Sequence, residues 1–194
     1  MGVILQSLGR TLAAGVAILI VLIALAGSAG VIASPAWWTF LMRWLHVISG
    51  VMWIGLLWYF NFVQIPSMPK IPDEQKPAIS KVIAPEALFW FRWAALATIV
   101  TGLLVATMSG YVMAALTLAK PFTAIGIGMW LGIVMAINVW FVIWPNQKKA
   151  LGMVTVEAAE KAKAARLAML TSRVNTMLSI PMLYCMVAQQ NGGF

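Results

Sequence analysis

Long apolar runs, broken by short polar stretches, set the pattern of this chain. Crossing ~30 Å of hydrocarbon takes about 20 helical residues. Five runs come near that length: 11–33, 35–63, 86–115, 121–144 and 174–188. The first and fourth hold no charge; the second contains Arg43 and His46, and the third Arg92 near its start. The fifth is the shortest and most polar. Between the last two, alanines and the favourably ordered Glu157–Lys161 pair predict a surface helix over about 157–170. The pattern predicts an all-α polytopic integral membrane bundle of about five transmembrane helices, forming a single membrane domain over 1–194.

Proline and tryptophan mark the predicted boundaries. Ser34-Pro35 and Lys120-Pro121 place proline at the first helical turn, where a missing N–H costs nothing, and Ser34 is placed to cap the second helix. Pro145 directly follows Trp144 and is expected to stop the fourth. Pro66, Pro69, Pro72, Pro77 and Pro85 forbid one continuous helix and predict a stiff surface crossing over 64–85. Trp37, Trp38 and Trp144 suit an interface. Arg10 followed by an apolar run ending near Ala24-Leu25-Ala26 also fits a signal peptide, but the run is long for one, so a retained helix is expected.

Composition agrees: 62% of the 194 residues are hydrophobic and 9% charged, and the mean hydropathy is +0.93. A soluble fold of this size could not hide so much apolar surface, whereas lipid covers it. The net charge of +8 lies in the connections, as topology determinants and lipid contacts rather than a nucleic-acid surface. Arg10, the 64–85 connection and the 146–173 stretch, which nets +4, fall on one side; the other has Lys120. That asymmetry predicts the N-terminus inside and the C-terminus outside, in a bacterial cytoplasmic (inner) membrane.

The chain has one cysteine, Cys185, and one histidine, His46, so a four-cysteine metal site, a CxxCH haem attachment and a cluster of histidine ligands are all excluded within it. Arg43, His46, Gly50 and Trp53 share a helix face. One reading makes His46 the ligand of a haem iron, with Arg43 near a propionate and Gly50 leaving room for the flat ring. The other has His46 bonded to a neighbouring carbonyl and Arg43 reaching the headgroups. Met182 and Met186 could supply a further haem ligand. Arg92 and Glu86 are interface anchors, or substrate or quinone contacts. Ile99, Gly102, Ala106 and Ser109 form one small-residue face, and Ala124, Gly128, Gly132 and Ala136 a second, which is either an internal seam or a contact with another subunit. Asn138 needs a protein partner. The polar run from Ser172 to Met182, with Pro181, reads as a site rim or a kinked packing helix.

The stretch from Arg43-Trp44-Leu45-His46 through Trp53-Ile54-Gly55 to Tyr59-Phe60-Asn61-Phe62-Val63 resembles the urate oxidase N-terminal family, as do Ile143-Trp144-Pro145-Asn146-Gln147 and Ala165-Arg166-Leu167 to Pro181-Met182. That family includes membrane-bound, cytochrome-c-linked urate-oxidising enzymes of bacteria. The histidine–glycine–tryptophan core also resembles copper-resistance D-type proteins and haem-containing protoporphyrinogen oxidases. The resemblance implies that Arg43, His46, Trp53, Asn61, Asn146, Arg173 and Asn175 surround a redox or cofactor site. The urate enzymes carry more membrane helices and a fused cytochrome c domain. The expected function is therefore a redox-associated membrane subunit, binding b-type haem through His46, with other membrane subunits or a separate cytochrome c as partners. A cofactor-free structural subunit packing through its small-residue face, and a membrane oxidase of urate or a similar small substrate, are the alternatives.

Overall fold

The computed structural model describes residues 2–26, 32 and 34–193. They divide into two compact units, Met1–Leu41 and Met42–Phe194. No strand occurs among the described residues. In the first unit a one-turn helix, Gly2–Leu5, precedes α1, Leu8–Leu25. The rest of the predicted 11–33 run falls largely outside the described residues. No side chain of α1 is buried within the chain.

The second unit is a bundle of long helices: α2, Pro35–Lys70, entering from the first unit; α3, Lys76–Met108; α5, Thr123–Ala150; and α6, Ala158–Asn191. The short α4, Val112–Leu116, lies between α3 and α5. Among the described residues, helices α1, α2, α3 and α5 are the four that are long and apolar enough to cross a membrane. Phe62, Phe141, Ile180 and Val187 all turn outward, each more than half exposed. Water would not tolerate such a coat, which is the surface of a membrane protein.

The proline-rich crossing is shorter than expected. Helix α2 runs on through Pro66 to Lys70, and α3 begins at Lys76, so only 71–75 connect them. Pro145 likewise fails to stop α5, which continues to Ala150. One mechanism accounts for both. The π-helical segments Tyr59–Gln64, Ile79–Ile83 and Asn138–Ile143 each end two residues before a proline: Pro66, Pro85 and Pro145. A proline ring collides with the carbonyl one turn back and offers no N–H. Widening that turn relieves the collision and lets the helix go on.

Asparagine side chains add donors to backbone carbonyls around these wider turns. Asn61 Nδ2 donates to the Leu57 carbonyl at 2.9 Å, Asn175 Nδ2 to Met135 at 2.9 Å and Asn146 Nδ2 to Val142 at 2.8 Å. Each accepting carbonyl lies in a π segment or within three residues of one. Asn175 is fully buried and also accepts from Asn138 Nδ2 at 2.8 Å. Asn61 reaches Ser172 Oγ at 2.8 Å, and Trp58 donates to Ser179 Oγ at 3.0 Å. Asn175→Ala is expected to destabilise the bundle by about 1–2 kcal/mol, because it leaves the Asn138 amide without its acceptor and removes one of two donors to the Met135 carbonyl, which keeps the Asn138 N–H. Thermal unfolding in detergent would show it as a lowered Tm.

The predicted surface helix and fifth run are one continuous helix, α6. Nothing between Ala158 and Pro181 breaks helical geometry, and Pro181 sits on the outward face. Ala164, Ala168, Ser172, Asn175, Ser179, Met182 and Cys185 form its buried stripe at three- and four-residue spacing. Glu160 pairs with Lys149 rather than Glu157 with Lys161. The small-residue stripe of α5 is an internal seam against α6: a Cβ at Gly128 would stand 3.1 Å from Cys185 Cβ. Gln189 ties the far ends together, accepting from the Ile125 N–H at 3.1 Å and donating to the Pro121 carbonyl at 3.0 Å. Ser34 caps α2 as expected, its Oγ accepting from Trp37 N–H at 3.2 Å. Helix α3 ends earlier than predicted, where Gly110 (φ 76°) allows the Tyr111 N–H to turn back to the Ala106 carbonyl at 3.0 Å.

Candidate functional site

His46 lies a third of the way along α2 and faces α3. Its Nδ1 is 2.9 Å from the Thr98 carbonyl, with Thr101 Oγ1 at 3.5 Å. A carbonyl only accepts, so the neutral ring carries its proton on Nδ1. The lone pair is then on Nε2, which makes no hydrogen bond among the described residues. This is the arrangement in which a second-shell acceptor orients a metal-ligating imidazole. Gly102 makes it sterically feasible: a Cβ there would stand 2.8 Å from His46 Cε1 and 3.0 Å from Nδ1.

The ring borders a partly open cavity of about 630 Å³ lined by all four long helices of the bundle. That size is typical of small-molecule and cofactor sites, which span roughly 300–1,000 Å³. Arg43, His46, Gly50 and Trp53 line it from α2, Thr98 and Gly102 from α3, Met129 and Gly132 from α5, and Met182 and Met186 from α6. The remaining walls are chiefly aliphatic. Trp53 is 1% exposed, and its indole N–H has no acceptor. Arg43 is exposed at the rim, and its charge acts on the neighbouring phenol of Tyr111, which stacks on Phe122 at 5.1 Å. Below the cavity, Trp53, Leu57, Phe91, Ala95 and Met135 close the bundle as a dry plug.

Four of the residues expected at a site therefore line one cavity: Arg43, His46, Gly50 and Trp53. The other four do not. Asn61, Asn146 and Asn175 serve the backbone at the π segments, and Arg173 is exposed on the outside of α6. Polar residues in an apolar run attract a functional reading, but here backbone repair accounts for the asparagines. Both readings of His46 describe the same ring, since the carbonyl bond uses one nitrogen and leaves the other open. Thr98, Gly102 and Tyr111 were not singled out as site residues. Gly102 was visible only as a member of a small-residue face.

The donor set fits a haem. An open imidazole nitrogen, apolar walls, an unpaired indole donor and a cation at the rim for carboxylates meet in one cavity. No group of three or more His, Cys, Asp or Glu side chains that could hold a free metal ion occurs among the described residues. The methionines at 129, 182 and 186 place thioether sulfur on the same walls.

No curated protein and no solved structure matches the chain significantly. The region that matches a family model takes in all of α5 and α6, with Asn146, Arg173, Asn175 and Met182, and leaves out Arg43, His46, Gly50, Trp53 and Asn61. Residues 122–192 match the model of the urate oxidase N-terminal family.

Proposed function

We propose that this chain is a redox-associated integral membrane subunit that binds b-type haem through His46. The observation that carries the reading is the His46 ring, which lines an apolar cavity, is held by Thr98 through Nδ1 and has no partner on Nε2 among the described residues. Bound there, haem would supply one-electron chemistry. The protein's own part is to fix the ring's tautomer and direction, keep water from the cavity and offer Arg43 to the carboxylates. Partners would be other membrane subunits or a separate cytochrome c. The charge asymmetry supports a bacterial cytoplasmic membrane with the N-terminus inside; a C-terminus outside requires α6 to cross as a fifth span.

Protein purified whole in mild detergent from haem-sufficient cells is expected to show a b-type reduced-minus-oxidised spectrum. A spectrum with no Soret band in such a preparation would remove the haem. A second reading, oxidation of urate or a similar small substrate, is favoured by the family match over 122–192. It requires turnover with added cytochrome c or quinone as acceptor. The structural-subunit alternative draws less support from the α5 stripe, because Gly128 packs on α6 and Gly132 faces Ile99 of α3.

A further inference from the structure

Beyond the plug, at the end of the bundle where the basic 146–173 stretch lies, Arg92 presents a charge that the chain does not balance. Its side chain is 8% exposed, and both Nε and Nη1 are buried without an acceptor. The guanidinium stacks on Trp144 at 3.4 Å from the ring centroid, and Lys148 Nζ approaches the same ring at 5.7 Å. One turn earlier on α5, Trp140 keeps a buried indole N–H that is also unpaired. The ion pairs among the described residues are Lys76–Asp73 and Lys149–Glu160, so neither Arg92 nor Lys148 has a carboxylate. Cation–π stacking engages one face of the guanidinium and leaves its edge donors unsatisfied. Two cations on one indole, with three unpaired donors beside them, call for an oxyanion from outside the chain.

We infer that Arg92 and Lys148, across Trp144, form a site for the phosphate of an anionic phospholipid headgroup. A lipid is favoured over a soluble anion by position. Trp144 sits where α5 passes from its apolar run into Asn146, Gln147, Lys148 and Lys149, the level of an interfacial tryptophan. Basic pockets between membrane helices at that depth are headgroup sites. Guanidinium supplies directional donors to phosphate oxygens, and the lysine adds a point charge.

The test is native mass spectrometry of the whole protein released from mixed phosphatidylglycerol and phosphatidylcholine micelles, alongside its Tm with each lipid and with inorganic phosphate. The wild type is expected to retain phosphatidylglycerol selectively and to gain Tm from it. Arg92→Gln is expected to bind it about tenfold more weakly, the loss of one charge-assisted contact. Lys148→Gln, at a half-exposed position, is expected to weaken retention less and serves if Arg92→Gln does not fold. Equal retention of the two lipids by the wild type, or undiminished selectivity in both variants, would overturn the site. Protection by inorganic phosphate but not by phosphatidylglycerol would overturn the lipid assignment. The inference does not depend on His46, so a haem-free protein that still selects phosphatidylglycerol separates the two.

Discussion

His46→Ala is expected to leave a folded bundle with no haem absorbance, because the chain has no second histidine. The ring is only partly buried and borders a cavity, so truncation enlarges an existing space and removes one donor from the Thr98 carbonyl, which still accepts from Thr101 Oγ1 at 3.3 Å. Added imidazole, which can enter that space, is expected to restore part of the band. Gly102→Ala separates ligation from mere packing. Its new Cβ would fall 2.8 Å from His46 Cε1, so the ring must turn and release its 2.9 Å bond to Thr98. The ligand then remains but its orientation is lost, and haem affinity is expected to fall roughly 10–100-fold, as when second-shell partners of a metal ligand are removed. Haem titration of the two variants followed optically is the check. A wild-type spectrum in both, with full occupancy, would place the iron on another residue.

The second large effect is on stability. Gly126→Ala would place its Cβ 2.1 Å from the Ala115 carbonyl oxygen and 2.9 Å from Leu118 Cδ2. The obstacle is backbone, which cannot rotate away as a side chain can, and Ala115 is fully buried. Helices α4 and α5 would have to separate. The cost is expected at the top of the ~1–3 kcal/mol range for overpacking, or above it. The other α5 glycines provide the internal scale. Gly128→Ala meets Cys185 Cβ at 3.1 Å and should cost less, whereas Gly132→Ala meets only Ile99 Cδ1 at 3.8 Å, beside the cavity, and should be near neutral. Unfolding of the three variants in one detergent should rank them in that order. Gly132→Ala as the most damaging of the three would mean that α5 packs on a different face.

His46 illustrates how far helical spacing reaches and where it stops. Its face on α2 follows from helical spacing, which also groups it with Arg43, Gly50 and Trp53, and the cavity keeps that group together. Its partner Thr98 is 52 residues away on α3. No local pattern pairs one threonine with one histidine across that distance, because the pairing depends on how two helices rotate about their own axes. The asparagines show the opposite case. Asn61, Asn146 and Asn175 stand out by type, yet the groups they serve are backbone carbonyls near π segments, and a carbonyl has no letter in the sequence. The prolines misled for a related reason. A proline is a breaker by its own chemistry, but a wider turn two residues before it carries the helix through.

Residue order by itself determined that this is an all-helical chain with apolar spans, a small-residue seam on α5 and an ionisable pair in the second span. Those properties follow from hydropathy, helical period and side-chain size, all of which are local. Tertiary structure decided that α6 is one unbroken helix, that Gly128 of the stripe packs inside the chain, that His46 lines a cavity with one nitrogen unpartnered, and that Arg92 is buried with no counter-charge among the described residues. Each of these depends on which faces meet once four helices have packed, and that is settled by all their contacts together rather than by any single stretch.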